Sequence, residues 1–228
     1  ISTTNKTLGK FTPDWTGGIS NTFSYRSLSL SFLIDASVGG SIFSNTNKTG
    51  KYTGVLANTL SGRDAEHGGL WYYTDAMGNN VRLPESPSYS VSSDGLYYAQ
   101  VNGQSTRVYQ DGIMVEGVTE SGSKNEEVVS AEKYYHRIYS IAEANVYDAS
   151  YVKLREVALS YRLPRLWTQK LHLQEASVTL TGRNLWTIYK SVPNIDPESA
   201  LTTGNAQGVE AYSLPTTRSF GVNLSVKF

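Results

Sequence analysis

One stretch of the chain alternates apolar and polar residues without a break: Ser219-Phe-Gly-Val-Asn-Leu-Ser-Val-Lys-Phe228. Successive side chains of a β-strand point to opposite faces of a sheet, so this alternation predicts a strand with one apolar and one polar face. We therefore predict a strand over residues 219–228. Its apolar positions are Phe220, Val222, Leu224, Val226 and Phe228.

Similar alternation occurs in four further segments. Only Arg26-Ser27 separates the first two, which is typical of a tight hairpin turn. In the third, the apolar phase switches near Arg155-Glu156, which predicts a one-residue bulge. The four additional strands are predicted near residues 15–25, 28–42, 151–163 and 176–189.

The lengths of these strands and of their connections favour a transmembrane β-barrel. A tilted membrane strand needs about 9–11 residues, roughly twice the usual soluble length, and the predicted strands reach it. Two short turns alternate with the long segments 45–150 and 191–217, as in outer-membrane barrels. We therefore predict an all-β fold of five antiparallel strands, in the outer membrane, with 45–150 and 191–217 extracellular and the C-terminus periplasmic.

Five strands cannot form a closed barrel alone. Single-chain bacterial barrels have even strand numbers, and an open sheet edge is not tolerated in lipid. We therefore expect the remainder of the same barrel to complete this chain, either in one polypeptide or as a second chain.

The composition argues against several functional classes. The chain has 20 basic and 20 acidic residues and no basic run, which gives no electrostatic reason to bind nucleic acid. Cysteine is absent, and His67, His136 and His172 fall in separate segments. We predict no enzymatic activity, no cofactor and no metal site.

Several motifs resemble the SusC/RagA family of TonB-dependent transporters of Bacteroidetes. The first is Asn145-Val-Tyr-Asp-Ala-Ser-Tyr-Val-Lys-Leu-Arg-Glu-Val-Ala-Leu-Ser-Tyr-Arg-Leu-Pro164. The second is Thr181-Gly-Arg-Asn-Leu-Trp186, and the third is the final stretch quoted above. Upstream, Thr12-Pro-Asp-Trp-Thr-Gly-Gly18 is also similar to the family. The likeness extends over nearly the whole chain in the family's order.

This resemblance implies a barrel of about 22 strands with an N-terminal plug, of which this chain supplies the C-terminal strands (1–228) and no plug. It implies import of glycan or peptide nutrients, a SusD-like surface lipoprotein as lid, TonB contacted through the plug-bearing portion, and outer-membrane lipid around the barrel. The cargo does not follow from the residues. Alternatives are a soluble carbohydrate-binding β-sandwich, a secreted β-rich hydrolase with two convergent carboxylates, and a barrel without transport function.

The segment 45–150 contains the candidate binding residues. Trp71-Tyr72-Tyr73 could contact cargo or the lid protein, because aromatic side chains often anchor binding, or could form the core of the segment itself. Arg63 and Asp64 form a charged cluster nearby, together with Glu66 and His67. The residues of this cluster do not have the spacing of metal ligands. Farther along, Ser130 predicts the N-cap of a helix over 130–145.

Two further groups of residues have predicted roles. By resemblance, Gly221, Leu224, Val226 and Phe228 match the signal that barrel-assembly machinery recognises; alternatively, Phe228 anchors its strand at the periplasmic interface. Asn194, Asp196 and Glu198 are expected to shape a turn. Asp35, on the polar face of its strand, is expected to tolerate substitution.

Overall fold

The computed structural model describes residues 5–84, 87–119, 121–200, 204 and 206–228, so parts of the predicted segments 45–150 and 191–217 lie outside the described residues. Two compact units are present: residues 1–46 with 145–228, and residues 47–144.

Fourteen strands and three α-helices lie in the described residues. The strands are β1 (Trp15–Tyr25), β2 (Leu28–Val38), β3 (Ser41–Ser44), β4 (Leu70–Thr74), β5 (Asn80–Arg82), β6 (Tyr89–Val91), β7 (Tyr97–Val101), β8 (Gln104–Met114), β9 (Val128–Ser130), β10 (Val146–Asp148), β11 (Tyr151–Arg162), β12 (Glu175–Lys190), β13 (Val209–Glu210) and β14 (Ser219–Lys227). The helices are α1 (Asn45–Tyr52), α2 (Ala131–Tyr139) and α3 (Arg165–Lys170).

The first unit is built on a five-stranded sheet in the order β1-β2-β11-β12-β14. Every neighbouring pair is antiparallel, which confirms the predicted fold class. β1 and β14 are the edges, so the sheet is open. Tyr25 pairs with Leu28, which places the predicted hairpin turn at Arg26-Ser27.

A bulge in β11 keeps its apolar residues on one face. Leu154 pairs with Ile34 and Val157 with Phe32, so β11 has one more residue than β2 between these pairs. Because of this extra residue, the apolar side chains before and after Arg155-Glu156 lie on the same face of the sheet, although the alternation in the sequence shifts by one position there. The predicted bulge is therefore confirmed.

The second strand differs from its predicted extent of 28–42, because β2 ends at Val38. Gly39 and Gly40 adopt φ angles of 78° and 81°, a left-handed conformation that glycine adopts without steric cost and that breaks the extended chain. β3 follows and belongs to a separate sheet, in which it pairs antiparallel with β10 and parallel with β13.

Glu210, on β13, ties this small sheet to the start of α1. Its side chain is buried, and it accepts hydrogen bonds from Ser44 Oγ (2.7 Å), Thr46 Oγ1 (2.6 Å) and the Thr46 amide (3.3 Å). Burial raises the pKa of Glu210, but the hydroxyl donors outweigh it, so the pKa lies below its ordinary value. A carboxylate in this position satisfies donors at the helix N-terminus.

The second unit contains a sheet in the order β5-β4-β8-β7-β6, with β9 also paired to β8. Its small core consists of Trp71, Ala99 and Val108. Ser130 caps α2, because its Oγ accepts from the Lys133 amide (3.3 Å). The helix is shorter than the predicted 130–145 and ends at Tyr139, where the amides of the next residues bond to carbonyls three positions back.

Candidate functional site

One face of the five-stranded sheet is apolar from edge to edge. A single row of paired residues illustrates it: Phe23, Leu30, Leu159, Leu180 and Val222 lie side by side across all five strands. At the edges these side chains are largely uncovered; Val222, for example, is 74% exposed. An exposed apolar surface of this extent marks a contact with lipid or with another protein.

Aromatic residues lie at both ends of this apolar face. Tyr25 and Tyr161 each pair with Leu28 at the hairpin end. Trp15, Trp186 and Tyr189 lie toward the other end, and all five side chains are exposed. Trp15–Tyr25 is 11 residues long. At about 3.3 Å per residue, a strand of this length tilted by about 40° covers the apolar band of about 25 Å that an outer-membrane barrel presents.

The opposite, polar face carries a buried network of ion pairs. Lys153 of β11 is 2% exposed, and its Nζ donates to Asp196 Oδ1 (2.6 Å) and to Glu198 Oε2 (2.6 Å). Arg155, two residues along the strand, donates from Nε to Asp35 Oδ1 (2.8 Å) and from Nη2 to Glu198. The network therefore joins two strands to segment 191–217.

Asp196 fixes segment 191–217 at two places. Oδ1 accepts from the Glu198 amide (3.1 Å), which forms the predicted turn. Oδ2 accepts from the Thr216 amide (3.1 Å) and hydroxyl (2.6 Å), 20 residues away in sequence. One carboxylate thus holds the beginning and the end of the segment together, and Lys153 attaches it to the sheet.

The two cations were not singled out from the sequence, although a signal is present. Lys153 and Arg155 lie two residues apart in a strand predicted to cross a membrane. Charged groups in such strands pair with opposite charges or mark functional paths, because burying an unpaired charge is costly. That rule predicts acidic partners for both residues, but it does not identify which ones.

The two acidic partners of Lys153, Asp196 and Glu198, have pKa values below their ordinary values. For each, burial raises the pKa, and hydrogen bonds to the charged form outweigh it. The donors are Lys153 and Thr216 for Asp196, and Arg155, Lys153 and Tyr151 for Glu198. The charged forms are therefore the ones that the fold stabilises.

We predict that acid releases segment 191–217. In the unfolded chain the pKa values of Asp196 and Glu198 are 3.8 and 4.5, and in the folded protein both pKa values are lower. The ion pairs therefore contribute their full stability at a pH above the unfolded pKa values. This stability is lost as the pH falls through the lower pKa values of the folded protein. Pepsin cleavage within the segment, followed in the full-length protein from about pH 5 to pH 2, should accelerate toward low pH. Asp196→Asn removes one titrating group, so its cleavage rate should depend less on pH; equal profiles for the two proteins would contradict the prediction.

The predicted aromatic residues of segment 45–150 lie in and beside the core of the second unit. Trp71 and Tyr72 are 7% and 5% exposed, and Tyr73 is half-buried. Trp71 contacts the rings of Tyr89 (4.9 Å between centroids) and Tyr97 (5.3 Å). This packing supports the alternative stated above, a core within the segment. A role in contacting cargo or lid stays a prediction, and Tyr73 is the most accessible of the three.

Tyr72 makes a polar contact within the same unit. Its hydroxyl donates to Asp111 Oδ1 (3.1 Å). Burial, and after it the Asp111 carboxylate, raises the pKa of the Tyr72 hydroxyl. The hydroxyl therefore stays protonated and acts as a donor.

Arg63 and Asp64 form local contacts. Arg63 Nη2 donates to the Gly54 carbonyl and to Thr59 Oγ1 (2.9 Å). Asp64 Oδ1 lies 2.7 Å from His67 Nδ1 and accepts from the His67 amide (2.9 Å), and these contacts lower the pKa of Asp64 against the opposing effect of burial. No group of three or more potential metal ligands occurs in the described part of the chain.

The proposed assembly signal lies on the edge strand β14 and directly after it. Gly221, Leu224 and Val226 pair with β12 on one side only, and Leu224 and Phe228 are exposed. Recognition by assembly machinery stays a prediction for these residues. Separately, no helix among the described residues is both long and apolar enough to cross a membrane.

Comparison with known proteins extends the resemblance. No family model matches the chain. TonB-dependent receptor P3 of Formosa agariphila is 25% identical over 235 residues, which cover 100% of this chain and 18% of the receptor. The chain resembles a TonB-dependent receptor along its whole length. The resemblance predicted from the motifs is thereby confirmed. This relative is named as a receptor and not as an enzyme, in agreement with the prediction of no enzymatic activity.

Solved structures of a RagAB peptide importer are also similar. The closed-closed state matches with a TM-score of 0.46 and 18% identity over 99% of this chain and 18% of the importer chain. The open-open state matches with a TM-score of 0.45 and 18% identity over 96% and 17%. The chain thus spans less than a fifth of the length of the proteins it matches. TonB-dependent receptors are outer-membrane proteins, as predicted for this chain.

Proposed function

We propose that this chain forms part of the wall and of the extracellular loops of an outer-membrane transporter of the SusC/RagA type. In this proposal the complete protein imports glycan or peptide nutrients. A SusD-like surface lipoprotein closes the barrel from outside, and TonB supplies the energy through the plug-bearing portion of the barrel. The similarity to a TonB-dependent receptor supports the class of protein.

The apolar face of the five-stranded sheet is the observation that carries the proposal. Its side chains are exposed over all five strands, and aromatic residues lie at both ends. Lipid between two aromatic girdles is the environment that such a face fits. The polar face then lines the lumen, with segment 191–217 held against it by Lys153.

The same observation disfavours the soluble β-sandwich. A sandwich buries the apolar face of one sheet against a second sheet about 10 Å away. Here Ile19 and Phe220 on that face are 68% and 79% exposed. The described residues of this chain therefore supply no second layer for that face.

Membrane location and orientation test the proposal in the full-length protein. Two versions of the protein are made, one with an epitope tag at Gly95 in segment 45–150 and one with the tag at Ser27 in the hairpin turn. Both tagged proteins should occur in the outer-membrane fraction of the cells. Antibody should label intact cells only with the Gly95 tag, since the hairpin turn faces the periplasm. Recovery in a soluble fraction without detergent would overturn the membrane assignment, and labelling through Ser27 would overturn the orientation.

Growth assays test transport and distinguish the cargo classes. A strain lacking the transporter should lose growth on either glycan or peptide as the sole nutrient, and deletion of TonB should give the same loss. Growth that is unchanged in both strains on both nutrients would contradict a transport function.

A further inference from the structure

A cleft of about 370 Å³ lies in the first unit, between β12 and segment 191–217. Its lining includes Lys190 and Arg218, several residues with hydroxyl groups and one acidic residue, Asp196. Pockets of this size, with a few placed polar groups, are large enough for part of a small ligand.

The acidic lining residue has no remaining capacity to attract cations. Asp196 Oδ1 accepts from Lys153 and from the Glu198 amide, and Oδ2 accepts twice from Thr216. Its charge is offset by buried Lys153. The carboxylate therefore acts as part of the wall of the cleft.

The two cations that line the cleft, Lys190 and Arg218, have N–H donors available for a ligand. Lys190 Nζ donates to the Ile195 carbonyl (2.7 Å), which leaves two of its three N–H groups for other acceptors. Arg218 is exposed. Within the described residues, neither side chain takes part in an ion pair. Thr187 and Ser213 add hydroxyl groups to the same lining.

We propose that this cleft binds a carboxylate group of the cargo. An ammonium, a guanidinium and neighbouring hydroxyls together offer charge-assisted hydrogen bonds to a planar anion. The buried ion network beneath them fixes the wall, so binding requires little ordering of the protein. The carboxylate is the C-terminus of a peptide or the acid group of an acidic sugar. The inference rests on the proposed function, because it names the chemistry of the imported ligand.

Saturation-transfer NMR on the detergent-solubilised full-length protein tests the proposal. The probes are tri-alanine with a free C-terminus, its C-terminal amide, a tri-galacturonate and its methyl ester. We expect signal from at least one free acid and a weaker signal from its counterpart in which the carboxylate is blocked. The double variant Lys190→Gln/Arg218→Gln should weaken binding of that acid by about tenfold or more, because two charge-assisted contacts are lost.

Lys170→Gln on α3 is the matched control, since it removes an exposed cation outside the cleft and should leave binding unchanged. Signal from the peptide acid alone identifies a peptide terminus, and signal from the galacturonate alone identifies an acidic glycan. Absence of both, or equal binding by the double variant, overturns the carboxylate site. Those results leave the membrane and growth tests unaffected, so failure here is distinguishable from failure of the transport proposal.

Discussion

Replacing Lys153 by alanine should destabilise the protein by about 3–5 kcal/mol, because it leaves the nearly buried Asp196 carboxylate without its cation. Within the part of the chain that the structure describes, Asp196 then has no ion pair and stays nearly buried, whereas Glu198 keeps its pair with Arg155. Urea unfolding of the full-length barrel in lipid vesicles measures the global part of this loss. Limited proteolysis measures the local part, because segment 191–217 should detach from the sheet before the strands separate.

Arg162→Ala is the matched control on the same strand. Arg162 pairs with Glu175 in an exposed ion pair, and pairs of that kind contribute about 0–1 kcal/mol. A second variant, Lys153→Met with Asp196→Asn, should recover part of the loss, since removing both charges avoids an unpaired buried charge. If Lys153→Ala and Arg162→Ala proved equally mild, the buried network would have no role in holding the segment.

The strands were predictable because their information is local. Alternation along 219–228 is visible in ten residues, and the bulge near Arg155 appears as a phase switch within one strand. The predicted strand over 28–42 runs through Gly39-Gly40, although both glycines are visible in the sequence. The left-handed backbone conformation of both glycines ends the strand at Val38.

The ion network was not predictable to the same degree, because it joins residues far apart in the chain. Lys153 and Asp196 are separated by 43 positions, and Asp35 and Arg155 by 120. No local pattern selects these partners. The Asp35–Arg155 pair also argues against the tolerance expected at Asp35, since substitution there removes one of the two carboxylates that contact Arg155.

The aromatic residues of segment 45–150 show a different reason why the sequence alone does not predict the role of a residue. Trp and Tyr residues serve equally as binding anchors and as core residues, because they combine a large apolar ring with a polar group. Composition alone could not place Trp71 in the core of the second unit. The ring contacts with Tyr89 and Tyr97 supply that information.

Replacing Ile34 by arginine should destabilise the barrel by about 2–4 kcal/mol, the cost of a cation on the lipid face near the bilayer midplane. Ile34 lies near the middle of β2, in the same apolar row as Ile19 and Leu154. The measurement is again urea unfolding of the full-length protein in vesicles.

The neighbouring residue provides the control for Ile34→Arg, because successive side chains of a strand face opposite sides of the sheet. Leu33→Arg inserts the same group at nearly the same depth, but on the polar face, where Leu33 pairs with Ser20. Its expected cost is small, since lumen-facing positions accept charge. The difference between the two variants therefore measures which face meets lipid, independently of any general intolerance of β2 to arginine. Equal costs would show that the apolar face is not in contact with the bilayer, and a larger cost at Leu33 would reverse the assignment of the two faces.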